Sequence, residues 1–505
     1  MTQPKFLRRK LLPAILQLLL CAVLFAQAPP ANQTQAPPQA ATPEKQQPTT
    51  SSPQKENSDQ AEPEQKISPK EADQLFRDVD EILKFASKDT SLPIKHEVKR
   101  RLTTRDEVVA YLQKSMAEDK DAQRLRRSEL VLKKFGLLPA EFDLQSFLLK
   151  LLREQVAGYY DPKTKTVNLL DWIDSEQQRP VMAHELTHAL QDQSFGLEKW
   201  MKQGDIDLDE KKTLTPEDFE RDEMSEARQA IVEGQAMVVL VDYMLAPTGQ
   251  SLLESPQIAN ALKEGMLAGT ADSPQFQGAP IFLKEALTFP YRYGIDFEAE
   301  LLRSGGKEKA YAGAFLNPPR TTREIMEPKT YLAGEHLDPM PLPNFKEDFK
   351  NYDRFDIGAM GEFDTAVLVD QYAGVEVSQK IYPQWRGGYY YAVRPKTDSA
   401  APLGFLYASR WSNAENAAQF AAIYAKALST RYKNIHQFPE DGQNSIRNLG
   451  GLMTLAGTHA WLTEQGPVVI VVRKEMVLIT ESLDQATTER LEQELLQSGT
   501  PTPKP

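Results

Sequence analysis

The sequence predicts an α+β protein: a mainly helical region carrying one short β-hairpin, followed by a C-terminal α+β region built on an antiparallel sheet. Three observations carry this expectation. Apolar residues recur at helical spacing over much of the first half, as in Leu75, Phe76, Val79, Ile82, Leu83 and Ala86. Two extended runs, 156–160 and 166–170, flank the turn-forming Asp161-Pro162-Lys163-Thr164-Lys165. Past residue 355 the pattern changes to strand-like runs (Tyr389 to Val393, Leu403 to Ser409, Val468 to Val472, Met476 to Thr480) interleaved with helical stretches at 413–428 and 487–496.

At the N-terminus, Lys5, Arg8, Arg9 and Lys10 precede an apolar run from Leu11 to Phe25 and the small-residue stretch Ala26-Gln27-Ala28. Residues 1–28 read as a secretory signal peptide, too short for a confident membrane span. The single cysteine, Cys21, lies inside it, so a processed chain has no disulfide, thiolate ligand or cysteine nucleophile. Export without disulfides points to a bacterial periplasmic or secreted protein. Residues 29–67 are rich in Pro, Gln, Thr, Ser and Ala, a composition that cannot bury enough apolar surface to offset ordering entropy, and read as a disordered tether. Losing residues 1–28 removes four basic and no acidic side chains and takes the formal charge from −12 to −16. That balance argues against nucleic acid and anionic membrane as partners, and no stable membrane insertion is expected unless the signal stays uncleaved.

The segments 68–345 and 355–498 read as two domains. Within the first, Thr104 and Glu107 form a capping box, Gly136 ends the helix carrying Leu132 and Phe135, and Asp143 caps the next. The hairpin follows and supplies an edge strand, a surface to which an extended peptide can add or a simple roof for the core. Asp205, Asp207, Asp209 and Glu210 lack the glycine of a calcium loop and read as a solvated stretch. Thr215-Pro216-Glu217 opens a long helix that continues to about Leu245.

The chemistry lies between hairpin and long helix. Val181-Met182-Ala183-His184-Glu185-Leu186-Thr187-His188-Ala189-Leu190 contains His-Glu-x-x-His among helix formers with small or apolar neighbours, as a buried active-site helix needs. His184 and His188 project from one helix face and can close on one metal ion, normally zinc, with Glu185 beside it to take a proton from bound water. A third protein ligand is required. The extension Gly-x-x-His is absent, since Gln191 and Ser194 stand in those positions. The candidates are Glu226 and Glu233, seven residues apart on the long helix. Glu233 is preferred, because Gly234 and Ala236 allow close approach to the motif helix, whereas Asp222, Glu223 and Arg228 suit Glu226 to a surface. Asp192 is either an acceptor for a ligand imidazole or a solvent-facing helix end.

The run His184-Glu185-Leu186-Thr187-His188-Ala189-Leu190-Gln191-Asp192-Gln193, with Val232-Glu233-Gly234-Gln235-Ala236, resembles the gluzincin-type HExxH zinc metallopeptidases, and more narrowly exported bacterial members of that kind, over roughly residues 150–335. The resemblance implies a zincin-like catalytic domain, one zinc ion per chain held by His184, His188 and Glu233, Glu185 as catalytic base, and a peptide or protein substrate. Met237 departs from it, standing where better-known members carry an aspartate. An oxyanion donor besides zinc is expected from among Tyr159, Tyr160, Tyr291, Arg292, Tyr293 and His336. Phe289-Pro290-Tyr291-Arg292-Tyr293-Gly294 reads as aromatic and broken by turn residues, Asn317 to Glu324 as a turn into a capped helix, and Trp385-Arg386-Gly387-Gly388 as a turn before a strand. The competing reading is an exported binding or scaffold protein without activity.

Overall fold

A computed structural model of the chain describes residues 66–110, 119–155, 158–204, 213–268, 273–438 and 451–496. The signal segment, nearly all of the tether and the Asp205 to Glu210 stretch lie outside these residues. The fold is α+β, with a seven-stranded antiparallel sheet and a three-stranded sheet among the helices.

The first helix, α1 (Pro69–Thr90), is opened by a Ser68–Glu71 capping box and buries Leu75, Val79, Ile82, Leu83 and Ala86 along one stripe. After β1 (Lys99–Thr103), the Thr104–Glu107 box forms as expected. Helix α2 (Asp119–Phe135) stops at Gly136, whose φ of 73° is the left-handed value that favours glycine. Asp143 caps α3 (Leu144–Gln155) by accepting the Ser146 amide. The hairpin is β2 (Tyr159–Asp161) and β3 (Thr166–Leu170), and β3 also pairs in parallel with β1. The order β1-β3-β2 leaves β2 at the edge.

Three long helices form the centre of the helical region: α4 (Ser175–Phe195), which carries the His-Glu-x-x-His motif, α5 (Pro216–Leu245) and α7 (Ile281–Lys307), with α6 (Pro256–Ala268) between the last two. Helix α5 packs on both α4 and α7. It is long and apolar enough to cross a membrane, yet 67% of its most apolar window is buried in the fold, as befits a core helix. Two sequence expectations are corrected here. Residues 289–294 are not a turn; they continue α7 through Pro290. Gly234 does not admit the motif helix; it admits α7. A Cβ on Gly234 would stand 2.4 Å from the carbonyl carbon of Gly294, and one on Gly294 2.3 Å from the Ala230 oxygen. The two glycines let the backbones touch, and the crossing fixes the rotation of α5 one residue after Glu233.

A π-helical turn (Glu308–Gly313) follows α7, and α8 (Thr322–Met326) starts on a Thr321–Glu324 capping box, as expected. The large sheet then forms in the order β4-β5-β6-β10-β9-β8-β7, from β4 (Tyr352–Ala359), β5 (Trp385–Pro395), β6 (Gly404–Trp411), β7 (Ile435–Phe438), β8 (Gly457–Thr463), β9 (Gly466–Arg473) and β10 (Met476–Glu481). Trp385 to Gly388 is the start of β5, with a register shift between Trp385 and Gly387, and not a turn ahead of it. Helices α9 (Glu362–Ala373) and α10 (Ala414–Arg431) cover one face, and α11 (Gln485–Leu496) covers the other. Strand residues therefore alternate between two cores, Phe405 and Tyr407 facing α10 while Leu406 and Ala408 face α11. Burial on both faces explains the unbroken apolar run at 468–472. Phe135 of α2 enters the α9/α10 core, its ring 4.7 Å from Phe405.

Candidate metal centre

Helix α4 starts where the Asp174 side chain accepts the Glu176 amide, and ends at Gly196 with φ 68°. Its middle is dry: from Val181 to Asp192 every side chain is buried. His184 is 1%, Glu185 2%, His188 1% and Glu233 0% exposed. The His184 and His188 Nε2 atoms are 3.0 Å apart, and Glu233 Oε2 from α5 stands 3.2 Å from the first and 3.4 Å from the second. The preferred third residue is thus brought to the rings. Glu226 is not: its carboxylate gathers with Glu223 and Asp364, all within 4.8 Å of one another. Its surroundings also differ from the solvated surface expected, since Asp222, Glu223 and Arg228 are buried.

These three atoms fit a metal ion on two grounds. Donors at ordinary zinc distances of about 2 Å in a tetrahedral arrangement stand roughly 3.3 Å apart. The polar accounting agrees: Glu233 Oε2 accepts no hydrogen bond, while two ring nitrogens point at each other. One divalent cation would neutralise the carboxylate and take a lone pair from each ring. Gln229 donates to Glu233 Oε1 at 2.6 Å, which turns Oε2 toward the rings.

Electrostatics follow from burial and proximity. Burial pulls the His184 ring below its ordinary pKa, with Glu233 pulling weakly the other way. Burial also disfavours charge on His188, but the adjacent Glu233 carboxylate outweighs it and raises the ring to about 9. Burial lifts Glu233, and the charge on His188 together with the hydrogen bonds and charge offered by both rings more than reverses this, leaving it at about 2.

Glu185 faces the hairpin. Its Oε2 accepts the Tyr160 backbone N–H at 2.7 Å, so the edge strand β2 itself holds the motif carboxylate. Gly158, at the entrance to β2, has φ 146°, and a Cβ there would lie 3.3 Å from Val181 on the motif helix. Asp192 serves neither role expected of it. It is buried, accepting the Tyr160 hydroxyl at 2.8 Å and the Leu197 amide at 3.1 Å and pairing with Lys165 at 2.6 Å, and so ties hairpin to helix end. The His188 imidazole is held instead by Gln191, with Nδ1 2.9 Å from Gln191 Oε1. The only sequence signal for Gln191 was a polar residue one turn after a ligand inside an apolar helix.

Of the six oxyanion candidates, Tyr291 stacks its ring on His184, with ring centroids 6.2 Å apart. The Tyr160 hydroxyl is bound to Asp192, Arg292 pairs with Glu285 at 2.7 Å, Tyr293 packs on Phe289, and His336 lines a different cavity, between α5 and β5. The Tyr159 carbonyl accepts from Asn168 in the adjoining strand. That other cavity gathers Arg320 to Glu324 and Trp385 to Gly388, the two motifs to which the sequence assigned no role.

Compared with known proteins, the chain matches no family model, no curated protein and no solved structure.

Proposed function

We propose that the chain is a zinc-dependent peptidase that hydrolyses peptide bonds outside the cytoplasm, with His184, His188 and Glu233 holding the ion and Glu185 as the catalytic base. The reading rests above all on one observation: ligand atoms from α4 and α5 converge at 3.0, 3.2 and 3.4 Å beside a glutamate on the same turn. A zinc ion so held supplies an activated water and polarises the scissile carbonyl. Glu185 would take a proton from the attacking water and pass it to the leaving amine. The Tyr160 amide keeps the Glu185 carboxylate at the motif helix while it does so. Strand β2 lies at the edge of its sheet beside α4, and the Tyr160 N–H on that edge is taken by Glu185 rather than left for an added strand. Export is supported by the basic-then-apolar N-terminus and by the lack of any cysteine beyond Cys21.

One observation favours the second reading, an exported binding or scaffold protein without activity: no functional side chain is more than 2% exposed. A catalytic zinc needs a coordination position open to substrate. Glu185→Gln separates the two. A peptidase keeps its zinc in this variant and loses hydrolysis of a diverse peptide library. A zinc-loaded wild-type protein that cleaves nothing in that library supports the binding role.

A further inference from the structure

We propose that a strut of two glutamines, running from the π-helical turn to the metal centre, dictates which nitrogen of His188 carries its proton and so turns the other toward the ion. The inference rests on the metal reading above. It starts at the far end, where hydrogen-bond polarity is unambiguous. Gln235 Nε2 lies 3.0 Å from the Ala310 carbonyl oxygen and 3.1 Å from that of Tyr311, both in the turn Glu308–Gly313. Carbonyl oxygens only accept, so the Gln235 atom facing them is its amide nitrogen. Gln235 Oε1 must therefore point the other way, toward Gln191 Nε2 at 3.0 Å.

Gln191 has a second, independent anchor. Its Nε2 also lies 3.1 Å from the Val232 carbonyl oxygen, again an obligate acceptor. With its nitrogen committed twice over, Gln191 presents Oε1 to His188 Nδ1 at 2.9 Å. An amide oxygen cannot donate, so Nδ1 bears a hydrogen, and when the ring gives up its other proton to bind the ion, the lone pair is on Nε2. That is the atom 3.4 Å from Glu233 Oε2 and 3.0 Å from His184 Nε2. The strut is dry along its length, for Gln191, Gln235, Ala310 and Tyr311 are each at most 1% exposed. In such a setting every link left unmade has a full desolvation cost, so the polarity cannot be reversed cheaply. Both glutamines sit on the helices that supply the ligands, Gln191 three residues after His188 and Gln235 two after Glu233. Gln191 and Gln235 are positioning residues. They act on zinc through the ring.

The test uses the full chain and zinc alone as probe. Gln191→Leu and Gln235→Met are expected to lower zinc affinity ten- to a hundred-fold, read by competition with a chromogenic chelator. In zinc-loaded wild-type protein labelled with ¹⁵N-histidine, His188 should show a slowly exchanging Nδ1–H, and Gln235→Met should lose that protection. Should either variant fail to fold, the wild-type spectrum alone decides, because an unprotonated or metal-bound Nδ1 overturns the strut. Unchanged affinity in both variants, beside a zinc-loaded wild type, also overturns it while leaving the metal site standing. A wild-type chain that takes up no zinc overturns the metal reading, and the strut's purpose with it.

Discussion

Replacing Gly234 by alanine should damage the metal centre more than the fold. The added Cβ would lie 2.4 Å from both the carbonyl carbon and oxygen of Gly294, and both obstacles are backbone. Ordinary contact needs about 3.5 Å or more, so α5 and α7 must part by roughly 1 Å at the crossing. Overpacking of this kind costs about 1–3 kcal/mol, and the helix preference for alanine over glycine returns about 1 kcal/mol of it. The net loss of stability is therefore modest, on the order of 0–2 kcal/mol. The site has less room. Glu233 is the adjacent residue, its Oε2 lies 3.2 and 3.4 Å from the rings, and ligand distances tolerate only about 0.2 Å. The expected outcome is a small drop in Tm with a loss of zinc affinity well beyond tenfold, measured by calorimetry and chelator competition. Gly278→Ala is the control, because a Cβ there meets nothing nearer than 3.4 Å. Zinc affinity in Gly234→Ala equal to that of the control would refute the claim that this crossing sets the position of Glu233.

Three further outcomes follow from buried charge. Glu481 lies among Arg431, Lys134, Tyr424 and Tyr432; burial works against its ionisation, but the charges of Arg431 and Lys134 with the hydrogen bonds from Arg431 and Tyr432 together outweigh it, and the pKa falls from 4.5 to about 2. A folded value below the unfolded one contributes stability that is present above about pH 4.5 and lost as pH falls toward 2, on the order of 3 kcal/mol in all. The stability gap between wild type and Glu481→Gln, from urea unfolding, should therefore be wide at pH 6 and shrink at pH 3. Glu298 has the opposite sign: fully buried, it is driven well above its ordinary value by desolvation, which its contact with the Gln235 side chain offsets only in part. Its neutral form is what the fold accepts, so stability drops as pH rises, and Glu298→Gln should raise Tm at pH 8 while gaining little at pH 4. Glu223 accepts both the Thr322 amide and its hydroxyl, at 3.0 and 2.9 Å, and Glu223→Ala should cost about 1–3 kcal/mol in denaturant unfolding by stranding that buried N–H.

Local chemistry was legible in the sequence wherever it was written within a few residues. Thr104 with Glu107, Gly136, Asp143 and Thr215-Pro216 mark helix ends through hydrogen bonds that span one turn, and each does so in the structure. The hairpin turn was readable for the same reason, and β5, β6, β9 and β10 were readable as nearly continuous apolar runs, buried on both faces. Glu233 was reachable because a carboxylate next to glycine in an apolar helix is unfavourable without a partner. The rest depends on partners far along the chain. Gly234 implied a close approach, but only the fold reveals that Gly294, sixty residues later, is what approaches. Pro290 and Gly294 look like breakers, yet packing on α5 holds the helix through them. Gln191 is joined to Gln235 across 44 positions and Gln235 to Ala310 across 75, and neither glutamine stands out from any other polar residue in a helix. Strands β4, β7 and β8 lack such apolar runs and emerge only through pairing, β4 with β5, β8 with β9 and β7 with β8.

Zinc content of three purified proteins tests the central claim most directly. Wild type should carry one zinc per chain, Glu233→Gln should lose it, and Glu226→Gln should keep it, because only Glu233 meets the two rings. Equal zinc in both variants, or none in the wild type, would contradict the assignment.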